Sequence, residues 1–169
     1  MKRRFLPFLL LLLVVTAVPA RAFEDDLLDR LVGRWVLRGT IAGEEVVHDV
    51  HAEWILAHHY LQFTEVSREV DQSGDPAYEA QVTIGWDEAA REYACLWLDV
   101  TGGEGLSNGV IGRAPREENS ILFVFGMEGA GAIHNTFTYD HRADTWRWVI
   151  DNVRGDESTR FADVTLRRR

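Results

Sequence analysis

Between residues 34 and 168 the chain divides into ten short segments rich in Val, Ile, Thr and aromatic residues, each ended by a cluster of turn-forming residues. The segments run near 34–41, 45–56, 59–70, 78–86, 92–100, 106–113, 119–127, 132–140, 145–152 and 159–168. Ala42-Gly43, Ser73-Gly74-Asp75-Pro76, Asp87 to Arg91, Gly102-Gly103-Glu104-Gly105, Pro115 to Asn119, Glu128 to Gly131, Asp140 to Asp144 and Gly155-Asp156 supply the breaks. Gly, Asn, Asp and Pro reverse the chain because they accept left-handed or pre-bent backbone. Connections this short join antiparallel neighbours, since a parallel pair needs a crossover of about a dozen residues. Ten consecutive antiparallel strands leave two open edges unless the sheet closes on itself. The expected fold is therefore all-β: an antiparallel up-and-down barrel of about ten strands. Eight strands nearly fill with side chains, whereas ten leave interior room.

Ahead of the strands, Glu24-Asp25-Asp26 precede the apolar stripe Leu27, Leu28, Leu31 and Val32, and Gly33 follows. Acidic residues suit the positive end of a helix and glycine ends one, so a short helix is expected. Further upstream, Lys2-Arg3-Arg4, the apolar run Phe5 to Val18 and Ala20-Arg21-Ala22 have the order of a secretory signal with its cleavage site. The alternative is a membrane anchor, but the run is 14 residues long, short of the roughly 20 that span a bilayer. The expected domains are a signal peptide over 1–22 and one barrel domain over 23–169, in a periplasmic or secreted protein. Residues 23–169 keep 14 arginines against 27 acidic residues, a charge of −13. Such a surface repels nucleic acid and anionic headgroups, leaving small molecules or proteins as partners and no stable membrane insertion after cleavage. Cys95 is the single cysteine, so no internal disulfide forms and a buried, inert thiol is expected.

Gly33-Arg34-Trp35 resembles the Gly-x-Trp that opens the first strand of lipocalins and other calycin-type barrels, preceded here by the short helix. Gly85-Trp86-Asp87 followed by Tyr93, Trp97, Asp99 and Gly102 resembles the central block of the bacterial DUF1579 family, lipocalin-like proteins of unassigned function. Val164-Thr165-Leu166-Arg167-Arg168 is similar to the basic last strand of such barrels. The resemblance covers most of the chain after residue 22. It implies the barrel fold with the short helix closing one end, structural roles for Gly33, Trp35 and Arg168, with a basic side chain of the last strand, Arg168 in preference to Arg167, lying across Trp35, and no particular ligand.

Strand phase sorts the candidate site residues, because successive side chains face opposite sides of a sheet. With Trp35 inside, Leu37, Gly39 and Ile41 follow it. On the next segment Val46, His48, Val50, Ala52 and Trp54 form the inner phase and Asp49, His51 and Glu53 the outer. His48 is then an interior histidine, either hydrogen-bonded within the core or touching a ligand. His48 and His51 face opposite ways on a strand, the outer charges read as a solvated face, and His58-His59 lies at a turn, so no metal is expected. Gly105-Leu106-Ser107-Asn108-Gly109 matches the G-x-S-x-G string of serine hydrolases. That chemistry needs a strand-to-helix elbow, absent from this pattern, and no catalytic residue is assigned. On the fifth segment both phases are apolar; the family resemblance points Trp97 and Asp99 inward, while Asp99 can equally cap the Gly102-Gly103 turn. Trp146 with Trp148 and Phe123 with Phe125 form stripes that suit a core or a cavity wall alike.

The open end is expected to be lined by His48, Trp54, Phe63, Trp97, Asp99 and Asn108, binding a small apolar or amphipathic molecule without catalysis. Three alternatives remain at this stage: haem held by His48 or His134, acid–base catalysis on a lipid-like or polyketide-like substrate by Asp99 or His48, and a filled barrel acting through its acidic surface. A cavity of roughly 300 Å³ or more favours binding or catalysis. Mass spectrometry of the exported protein is expected to show Phe23 as its first residue; an intact Met1 in membranes overturns that reading.

Overall fold

The computed structural model describes residues 23–102, 111–127 and 131–169. The signal-like segment and the Ser107 and Asn108 positions lie outside them. One helix, α1 (Asp26–Leu31), precedes β1 (Gly33–Ile41), β2 (Glu44–Ile55), β3 (Tyr60–Ser67), β4 (Glu79–Asp87) and β5 (Glu92–Asp99). Then follow β6 (Ile111–Ala114), β7 (Ser120–Met127), β8 (Gly131–Asp140), β9 (Thr145–Arg154) and β10 (Glu157–Arg168). Every neighbouring pair is antiparallel, and β1 pairs β10 from Trp35 against Arg168 to Ile41 against Ala162, closing the barrel. Among the described residues ten strands form it, as the turn spacing predicts. No described helix is long and apolar enough to cross a membrane.

One end is shut by α1. Asp25 caps its N-terminus, one carboxylate oxygen accepting from the amides of Leu27 and Leu28 at 3.0 and 2.9 Å. The other oxygen accepts from the Tyr93 hydroxyl at 2.6 Å and meets the Arg116 guanidinium at 2.8 Å. Helix C-termini leave carbonyls without internal partners. Here the Leu31 carbonyl accepts from Trp35 Nε1 at 2.7 Å, and those of Val32 and Arg30 accept from Arg168 at 2.5 and 2.9 Å. Leu27, Leu28 and Leu31 are buried beneath. The helix is six residues long, too short to be stable alone, and is held by these bonds and by its apolar face.

The Arg168 guanidinium lies over the Trp35 ring at 3.8 Å from its centroid, and Trp35 is fully buried. Gly33 makes room for it: its φ of +127° disfavours a side chain, and a Cβ there would come within 2.6 Å of Arg168 Nη1. The interior above the helix fills with Trp146, Tyr93, Phe63, Phe123, Phe137 and Trp148, all buried. Phe137 and Trp148 stack at 5.1 Å, with Phe63 edge-on to both. Cys95 is buried in the same core, and burial pushes its thiol well above its ordinary range.

Truncating Trp35 to Ala should cost about 3–5 kcal/mol as a core deletion. Removing the Arg168 guanidinium, as in Arg168→Ala, should cost about 0.5–2 kcal/mol through the cation–π contact. Urea unfolding measures both, and equal losses in the two variants would contradict this packing.

Candidate functional site

The aromatic layer stops short of the end opposite α1. There the inward positions carry small, aliphatic or polar side chains, among them Val46 and His48 of β2, Glu65 and Ser67 of β3, Ile133 and Asn135 of β8, and Ile150 and Asn152 of β9. They surround a cavity of about 720 Å³ that opens to solvent. Trp97, Trp148 and Phe125 supply aromatic surface; the Trp97 and Trp148 rings lie 5.3 Å apart and Trp97 is edge-on to Phe125. The β9–β10 register shifts between Arg160 and Ala162. Such a bulge re-aims a side chain, and Phe161, partly exposed, lines the cavity.

The polar side of the cavity centres on two buried groups. His48 is 4% exposed and Glu65 0%, and His48 Nδ1 lies 2.5 Å from Glu65 Oε1. Val50, two residues along β2 from His48, pairs directly with Glu65, which puts the two polar side chains on one diagonal of the inner face. Glu65 Oε2 has no hydrogen-bond partner among the described residues. Burial pushes the Glu65 carboxyl above the usual carboxylate range, opposed by its hydrogen bond to His48. Tyr78 stacks on the His48 ring at 5.7 Å. Burial, and then the carboxyls of Glu65 and Asp99, push its hydroxyl far above its ordinary value, so it stays a neutral donor.

Asp99 does two things at once. Oδ1 accepts from the amide and hydroxyl of Thr101 at 2.7 and 2.6 Å, capping the turn, while Oδ2 accepts from Trp97 Nε1 at 3.2 Å on the cavity wall. The two alternatives open at Asp99 are therefore both realised. His48 likewise is hydrogen-bonded in the core and lines the cavity.

Of the six residues expected at the open end, His48, Trp97 and Asp99 meet there. Trp54 and Phe63 do not, and Asn108 is outside the described residues. Trp54 sits at the helix end, its Nε1 donating to Asp29 at 2.7 Å and its ring stacked on His58. Phase puts His48 and Trp54 on the same face of β2, but six residues at roughly 3.3 Å each separate them by about 20 Å along the strand. Phe63 is 1% exposed in the aromatic layer beneath the cavity. Glu65 and Tyr78 are not among the residues expected from sequence. The signal for Glu65 was present, because it follows Leu61 and Phe63 at a spacing of two, a carboxyl in the inner phase of β3. Tyr78 precedes β4 and reaches the site through the return of the chain, its carbonyl accepting from the Ser67 amide at 2.8 Å.

Of the two histidines named for haem, His134 alternates with the buried Asn135 on β8 and belongs to the outer phase, whereas His48 lines the cavity with its Nδ1 on Glu65; among the described residues no Arg or Lys lines the cavity to meet propionates. On the outer face, Asp49 is paired with Arg68 at 2.6 Å and with Arg169 at 3.6 Å. No family model matches the chain, and no curated protein matches it.

A carboxyl whose pKa is raised by folding lowers stability as pH climbs from its unfolded value towards its folded one. For Glu65 that window begins near 4.5. Glu65→Gln, which keeps the shape and loses the charge, should therefore gain in melting temperature over the wild type as pH rises above 4.5. A gap that is constant or shrinks with pH would show that Glu65 carries no burial penalty.

Proposed function

We propose that this barrel, as an exported periplasmic or secreted protein of calycin-type kinship, binds a small amphipathic molecule in the cavity opposite α1. The observation that carries the reading is the cavity itself: about 720 Å³, within the 300–1,000 Å³ range typical of ligand sites. Its aromatic and aliphatic walls meet a few buried polar groups, which supply apolar contact area and orientation together. A barrel acting only through its outer surface has no need of such a space, and a filled one buries more apolar area.

The His48–Glu65 pair also suits a second reading, general acid–base chemistry on a bound lipid-like or polyketide-like molecule. A carboxyl held against one ring nitrogen fixes the tautomer and orientation of an imidazole. Turnover that follows a bell-shaped pH profile is the result that favours it.

Binding of the neutral probe N-phenyl-1-naphthylamine, read by its fluorescence, tests the first reading. Trp97→Ala should weaken it by about tenfold or more, the loss of one aromatic wall of the cavity, whereas Ser107→Ala should leave it unchanged. Absence of binding to the wild-type protein at saturating probe, or equal loss in both variants, overturns the reading.

A further inference from the structure

The charge of the cavity narrows the chemistry of what it takes. Among the described residues three carboxyl groups, Glu65, Glu69 and Asp99, line it, and His48 is the one lining group able to carry a positive charge. Even with His48 protonated the lining is not positive. The two undescribed segments nearest in sequence, 103–110 and 128–130, contain Glu104 and Glu128 and no Lys or Arg. A carboxylate-headed or phosphate-headed molecule would enter against like charge with no guanidinium or ammonium to receive it, at an energetic cost that a low-dielectric interior enlarges.

A second observation points the same way and is independent of the charge count. Glu65 is among the residues lining the cavity, and its Oε2 is buried with no partner among the described residues. A buried acceptor left unpaired costs about 1–3 kcal/mol, and more when charged. Its natural complement is an N–H donor, strongest when cationic. Beside it, Trp97, Trp148 and Phe125 present π-surface, which attracts organic cations. An inorganic cation is not the match: among the described residues no three His, Cys, Asp or Glu side chains are grouped to hold a metal ion.

We infer that the cavity's ligand is a protonated organic amine carrying an apolar body, its ammonium bonded to Glu65 Oε2 and its body lying along the Trp97–Trp148 wall. This rests on the small-molecule reading above and adds the class of molecule to it. Glu69 and Asp99 hold the approach negative, and the neutral Tyr78 hydroxyl adds no competing charge.

The test is a matched series differing only in the head group: 4-phenylbutylamine, 4-phenylbutan-1-ol and 4-phenylbutyrate, titrated by calorimetry at neutral pH into the wild-type protein. The amine should bind at least about tenfold tighter than the alcohol, the size of one charge-assisted hydrogen bond. The butyrate should bind more weakly than either. Glu65→Gln should remove most of the amine's advantage, and Asp99→Asn part of it, with circular dichroism melts verifying that each variant is folded. If the alcohol equals the amine, or the butyrate binds best, the cation inference falls while the binding reading stands. If the amine's advantage survives in both variants, its assignment to this site falls. If neither the series nor N-phenyl-1-naphthylamine binds, the binding reading itself fails.

Discussion

The pairing of β1 with β10 is the constraint on which the rest depends. Seven residue pairs from Trp35–Arg168 to Ile41–Ala162 join the first strand to the last, and without them the sheet has two open edges and no enclosed interior. The same junction carries Arg168 across Trp35 and onto the helix carbonyls of Val32 and Arg30. Closing the sheet and plugging one end are thus one structural event. With that end filled by α1 and the large aromatic residues above it, the cavity lies at the other.

What the cavity contains runs against packing economy. Replacing a buried polar pair by apolar residues of similar size is often neutral or stabilising, yet His48 and Glu65 are both buried and Glu65 keeps an oxygen without a partner among the described residues. Polar groups break local rules most often at functional sites. By contrast the outer ion pairs, such as Arg147 with Asp163 and Arg68 with Asp49, are solvent-exposed, a setting in which each contributes little to stability. The informative polar chemistry of this protein lies inside the barrel.

Much of this architecture was legible in the residues themselves. Turn-forming clusters at short intervals dictate antiparallel neighbours, ten such segments call for closure, and the acid-rich stripe before Gly33 specifies a short helix, because these are local backbone and periodicity effects. Strand phase also placed His48 inside, for alternation is a property of the strand alone. Phase is silent about height along the barrel axis, which is why Trp54, on the same face as His48, lies at the closed end beside Asp29. Height follows from register, and register is set by pairing with neighbours. The meeting of His48 with Glu65, 17 residues apart in sequence, and the stacking of Tyr78 on His48 required the folded sheet. So did the cavity: the inward aromatic residues of a filled barrel and of a hollow one are the same types, and only their levels in three dimensions decide where they stop filling it.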